Sequence, residues 1–377
     1  DRIMKCSIYT VGGKDFSSLV GELLEKCGGD EKIVRLVFWG SPRDNQEYRN
    51  QKRELERQIH AHFGKCCPAF SYIAQRPLTA DLAVEVHRVD ASFEGEVVYK
   101  VYRNLPYVLL RGRSYRELIA GGMSGRDVDS PVRKQAEEAM EQMRAVLVEE
   151  GFAVDAIVRQ WNYLERITEF DGECQRYQAF NEARSSFYAS ATWNNGYPAA
   201  TGIGMQWGGV VIDFTAVKTE GPECRSVPLD NALQIAAHAY SQQVLMGKLS
   251  ADLGKITPKF ERARVLESGN ERMIYVSGTA AIRGEQSLTE VGVLPQMGIT
   301  LENINYLISG KNLQSKGVAG EGELLMIRVY LKYPDDLEAV EAYIGGQLAG
   351  LPVIYLLADV CREELLVEVE GIARIKV

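Results

Sequence analysis

One pattern recurs three times along the chain, and it restricts the fold more than any other feature. A strand-like stretch of about six residues leads into an amphipathic helix, then a proline, then an apolar strand with period-two alternation. The copies run as LVFWGSPRD, PAF and LAVEVHRV (Leu36 to Val89), as VRQWNYLERI, YPAATGIG and GVVIDFTAV (Val158 to Val217), and as LMIRVYLKYPDD, PVIY and LLVEVEGIA (Leu325 to Ala373). A repeat of this size implies one structural unit copied in series, with function where the copies meet and differ.

The middle copy is the most regular. KVYRNLPYVLLRGR predicts a strand pair, and SPVRKQAEEAMEQMRAVLVEEGF a helix with Ser130 as N-cap, Pro131 in its first turn and Gly151 at its end. Ala136, Met140, Met143 and Leu147 then share one apolar face. In the third copy Gln296, Leu301, Ile304 and Ile308 take the places of Gln135, Met140, Met143 and Leu147. The first copy is degenerate: DFSSLVGELLEKCGG predicts a helix, but no opening hairpin precedes it. TEGPECRSVPLDN reads as loop. The expected division is 1–92, 93–218, a connector over 219–257, and 258–377. The expected class is α/β of the α+β type, with mixed sheets packed on helices.

The 377 residues can bury two or three cores of ordinary size. A net charge of -8 disfavours a nucleic-acid partner, which needs a dense Lys/Arg surface. No apolar run approaches the roughly 20 residues that span a bilayer, and DRIMKCSIYT lacks a signal-peptide core, so a cytoplasmic protein away from membranes is expected. None of the seven cysteines forms a CxxC pair. His60 and His62 lack acidic or cysteine partners at ligand spacing, so no metal is expected. GGMSGRD and YPAATGIGM lack the spacing of a nucleotide loop, and no cofactor is expected.

Chemistry is best sought in the last closing strand. Glu368 and Glu370 share one face of it, while Val367 and Val369 take the other. A carboxyl group in apolar surroundings has a raised pKa and serves as a general acid near neutral pH. Glu85 is read as its counterpart in the first copy, and Asp213 stands where the third copy has Glu370. Arg176, Arg184, Arg262 and Arg328 are candidate clamps for an anionic substrate, because a guanidinium binds a carboxylate bidentately. Tyr177, Tyr240 and Trp161 are candidates to pack on a ring.

The SGTAA segment holding Thr279, the glutamine-led helix, the proline before the penultimate strand and LLVEVEGIA resemble the YjgF/RidA family. That family has a small chorismate-mutase-like fold that assembles as trimers with sites between subunits. Three copies in one chain then imply a covalent pseudo-trimer, monomeric or further assembled as a homo-oligomer. VRQWNYLERI, RYQAFNEAR, GYPAATGIG, YVSGTAAI and ADVCREELLVEVEG, in that order, resemble the chorismatase branch. Imine deaminases of the family carry an arginine after that proline, where this chain has Ala200 and Ile354.

The resemblance implies a cofactor-free enzyme that cleaves the enolpyruvyl ether of chorismate, a small dicarboxylate, to pyruvate and a dihydroxycyclohexadiene or hydroxybenzoate. Glu368 is then the acid, with Arg184, Tyr177, Tyr240, Arg262, Arg328, Thr279 and Cys361 about the substrate. Two alternatives stand beside it: a non-catalytic protein binding small carboxylates, and a ribonuclease. The acidic balance and the lack of paired catalytic histidines disfavour the ribonuclease.

Overall fold

The computed structural model describes residues 4–28, 32–245, 256–289 and 291–376. The first unit comprises β1 (Met4–Val11), α1 (Phe16–Lys26), β2 (Lys32–Trp39), α2 (Asn45–Phe63), β3 (Ala69–Ile73) and β4 (Leu82–Val89). The second comprises β5 (Glu96–Tyr102), β6 (Leu105–Arg111), β7 (Tyr115–Ser124), α3 (Val132–Glu149), β8 (Ile157–Glu165), α4 (Arg176–Tyr188), β9 (Ala199–Met205) and β10 (Val210–Thr219). The third comprises β11 (Cys224–Leu229), β12 (Ala263–Ser268), β13 (Glu271–Ala280), α5 (Val293–Ile308), α6 (Gly310–Ser315), β14 (Glu321–Leu331), α7 (Leu337–Gln347), β15 (Val353–Leu357) and β16 (Val367–Lys376).

The sheet orders show the repeat directly. They are β1-β4-β2-β3, then β5-β6-β7-β10-β8-β9, then β11-β12-β13-β16-β14-β15. In each unit the strand after the proline runs parallel to the strand before the helix, and the closing strand inserts antiparallel between two earlier ones. A parallel pair needs a crossover, which α2, α4 and α7 supply.

Each unit packs its helices on one sheet face as a separate core. The opposite faces meet in shared cores drawn from all three units. Single bridges close the ring: Ala74 with Trp207, Ile203 with Val360, and Leu356 with Pro77. The glutamine-led helices are equivalent in detail. Gln135 Oε1 accepts from the Val210 N–H at 3.1 Å, and Gln296 Oε1 from the Leu366 N–H at 2.8 Å. Ala136, Met140, Met143 and Leu147 form the buried face as expected. Among the described residues no helix is long and apolar enough to cross a membrane.

Three local readings change. Ser130 is not the N-cap of α3; Pro131 is, and Asp171 Oδ2 accepts from the Val132 N–H at 2.8 Å instead. Part of the segment read as loop is β11, an edge strand on β12, because alternate residues of CRSVPL cover the third core. The connector's central residues, 246–255, lie outside the described set.

Register also reassigns the carboxylates. Trp39 lies opposite Ile73 and Ala83, Tyr163 opposite Ile203 and Val211, and Tyr330 opposite Leu356 and Glu368. The counterparts of Glu368 are therefore Ala83 and Val211. Glu85 sits two residues further along, opposite Val37, and matches Asp213 opposite Trp161 and Glu370 opposite Arg328. A two-residue offset keeps a side chain on the same face, so alternation alone could not separate the two assignments.

Candidate active site

A cavity lies between the second and third units, lined by residues of both. Helix α4 contributes Tyr177, Gln178 and Asn181, and β9 contributes Ala200 and Gly202. The third unit contributes Gly278, Ala280, Cys361, Arg362 and Glu368, and the segment leading into it Tyr240, Phe260 and Arg262.

Glu368 is held on β16 between Tyr330 and Ala280. It is 5% exposed, and among the described residues nothing donates a hydrogen bond to its carboxyl group. Burial, reinforced by the charge of Glu370, raises its pKa to about 8; Arg262 and Arg159 oppose the rise without cancelling it. It is therefore protonated at neutral pH. Room for it comes from a bulge where the β13–β16 register shifts between Val276 and Thr279. A Cβ built on Gly278 would collide with Glu368 Oε1. The bulge is anchored to the second unit: the Gly278 N–H donates to Thr201 Oγ1 at 3.1 Å, and the Ala200 N–H to Ser277 Oγ at 2.9 Å.

The cationic side is equally defined. Arg262 is 4% exposed, donates through Nη2 to Tyr240 Oη at 2.6 Å and the Ile235 carbonyl at 2.7 Å, and keeps a buried Nε without a partner. Arg362 donates through Nη1 to the Glu285 carbonyl at 2.8 Å and Ser287 Oγ at 3.0 Å. The two guanidinium carbons lie 5.6 and 5.1 Å from the centre of the Tyr240 ring. Neither pairs with a carboxylate among the described residues. A neutral acid sharing a cavity with two arginines suits an anionic ligand that accepts a proton.

Of the residues anticipated from sequence, Glu368, Tyr177, Tyr240, Arg262 and Cys361 line this cavity. Cys361 is half-buried, and its thiol is pushed up to about 12 by desolvation and by Glu368, so it is not a nucleophile at neutral pH. Three others lie elsewhere. Arg328 is part of the buried centre, bound to Glu85 at 2.7 and 2.9 Å and to Tyr163 at 2.7 Å, because β14 turns that face toward the first unit. Thr279 donates to the Ser277 carbonyl at 2.8 Å and sits opposite Val369, one residue out of phase with the cavity-lining Gly278 and Ala280. Arg184 lies inside α4 packing and donates to Asn181 Oδ1 at 2.7 Å, touching the cavity only through that neighbour. Arg176 donates to the Glu165 carbonyl and Trp161 to Glu370, so neither faces the cavity. Among the described residues no group of histidine, cysteine and carboxylate side chains could hold a metal. Sequence reading passed over Arg362, which directly follows Cys361, and Gly278, two residues before the Ala280 that faces Glu368.

Residues 110–216 match the family described as chorismatase FkbO/Hyg5-like, N-terminal. A chorismatase crystal structure aligns over 98% of both chains with a TM-score of 0.71 and 22% identity. The chain resembles the chorismatases, and its fold is theirs. Two relatives from Streptomyces hygroscopicus agree. A 3-hydroxybenzoate synthase is 32% identical over 59% of this chain and 65% of its own length, and a chorismatase is 30% identical over 57% and 60%. The chain thus spans less than two thirds of each relative's length, 65% of one and 60% of the other.

Proposed function

We propose that this protein cleaves the enolpyruvyl ether of chorismate by general acid catalysis without a cofactor, with Glu368 as the acid. The observation that carries the reading is a buried, protonated carboxyl group facing Arg262 and Arg362 across one cavity. The names of the relatives, 3-hydroxybenzoate synthase and chorismatase, supply the substrate class.

Chorismate is a dicarboxylate, so each arginine takes one carboxylate, and Tyr240 between them lies against the ring. Glu368 protonates the terminal methylene carbon, and an oxocarbenium ion forms at the ether-bearing carbon. Water adds there, giving a hemiketal, and returns its proton to the Glu368 carboxylate. The hemiketal collapses as its hydroxyl proton passes to the departing ring oxygen, the ether bond breaks, and pyruvate and the ring alcohol leave. Proton donation of this kind contributes about 10² to 10⁴ in rate.

Our unit boundaries follow the same logic: 1–92, 93–218, and a third unit that gains β11 from the segment first read as connector. Incubation with chorismate and enzymatic detection of pyruvate tests the function. Wild type should release pyruvate, and Glu368→Gln should lower the rate by at least 10². Stabilisation by small dicarboxylates without any pyruvate would favour the non-catalytic carboxylate-binding reading.

A further inference from the structure

The face of β16 that carries Glu368 carries a second carboxylate two residues on, about 6.6 Å away along a strand. Glu370 Oε2 accepts from Arg159 at 2.6 Å and from Trp161 Nε1 at 2.7 Å; Oε1 accepts from Tyr330 Oη at 2.5 Å and lies 3.5 Å from Arg328. Arg159 also donates to Thr201 Oγ1 at 2.9 Å, and that oxygen receives the Gly278 N–H. One connected set of contacts therefore fixes Glu370 and the bulge that seats Glu368. Glu370 is 3% exposed and does not line the cavity.

We propose that Glu370 is a positioning residue that keeps Glu368 protonated, acting as a fixed negative charge from outside the cavity. The proposal rests on Glu368 being the acid, and it identifies what tunes that acid. Other groups around Glu368 come from every packed element: Arg262 from the segment before β12, Arg159 from β8, Tyr330 from β14, Tyr177 from α4, and Cys361 and Arg362 before β16. Arg262 and Arg159 favour the charged carboxylate, the Arg362 cation lines the same cavity, and Tyr177 and Cys361 are neutral at physiological pH, their pKa values raised by burial and by neighbouring charges. Among these groups only Glu370 opposes ionisation by charge. Its counterparts lack this role, because Ala83 and Val211 stand where an acid would be.

The sign of the effect separates tuning from scaffolding. Glu370→Gln removes the charge and keeps the shape, so the Glu368 pKa falls, by about one unit for like charges at this separation in partly screened surroundings. Tyr330→Phe removes a donor from Glu370, leaves its charge less shared, and shifts Glu368 upward by less. Infrared titration of the protonated carboxyl band, assigned by its loss in Glu368→Gln, reads both shifts without substrate. Opposite shifts in the two variants support the proposal; an unchanged midpoint in a folded Glu370→Gln, or in Tyr330→Phe should Glu370→Gln not fold, overturns it. The reading is independent of chorismate turnover, so the absence of pyruvate would reject the proposed reaction and leave this inference standing.

Discussion

The interface between the first and second units and the interface between the second and third are built from the same strands, yet only the latter holds the proposed site. Phe70 and Tyr72 of β3 occupy the register places that Ala200 and Gly202 hold in β9. Phe70 and Tyr72 are buried, and Tyr72 stacks on Tyr48 with ring centres 5.3 Å apart. In the first unit two large rings pack against its own helices, and in the second two small residues leave a cavity beside α4. The carboxylates follow suit. Asp213 accepts from Ser71 Oγ at 2.7 Å and the Gly122 N–H at 2.9 Å, and its counterpart Glu370 is likewise satisfied, while Glu368 stands where the second unit has Val211 and accepts no hydrogen bond among the described residues. A copied fold thus acquires a candidate site by losing volume and gaining one unsatisfied carboxyl group.

That comparison breaks most severely if a carboxylate can be placed at the matching positions. Val211→Glu should unfold the protein or destabilise it by several kcal/mol in urea titration, because Val211 is buried in the shared apolar core. Ala200→Phe copies the first interface into the second. It should lower turnover by more than 10² while thermal unfolding stays within the about 1–3 kcal/mol cost of overpacking. Gly278→Ala should displace the Glu368 carboxyl group and lower kcat with little change in KM, whereas Gly345→Ala, which meets no neighbour in α7, should slightly raise the melting temperature. Arg262→Gln should lower kcat/KM by about 10- to 100-fold, chiefly through KM, as expected for a lost charge-assisted hydrogen bond.

Much of this fold was legible in the chain because the repeat fixes strand order and the proline marks each parallel strand. The buried carboxyl group proposed as the acid, Glu368, was legible as a candidate because period-two alternation set two carboxylates among valines. Its counterpart was misread as Glu85 because a two-residue offset preserves the face, and only pairing partners distinguish it. Arg328 and Thr279 carried no signal of which interface their side chains meet. Those are long-range facts, set by how the three sheets close on each other. Arg362 and Gly278 were hidden for the same reason: their roles depend on a bulge and on a neighbour in another unit.

The Glu368 carboxyl also leaves a mark on stability. Its pKa rises from 4.5 to about 8 on folding, so the folded state holds an extra proton between those values. Stability should therefore fall as pH rises through this window, by about 1.4 kcal/mol per pH unit. Glu368→Gln removes that slope, and denaturant titration at pH 9 should find it more stable than wild type.

The pH dependence of kcat/KM for pyruvate release from chorismate tests the central claim most directly. With Glu368 as the acid, activity should stay level through neutrality and fall about tenfold per pH unit above pH 8. A rate that climbs through pH 8, or a Glu368→Gln variant matching wild type, would contradict it.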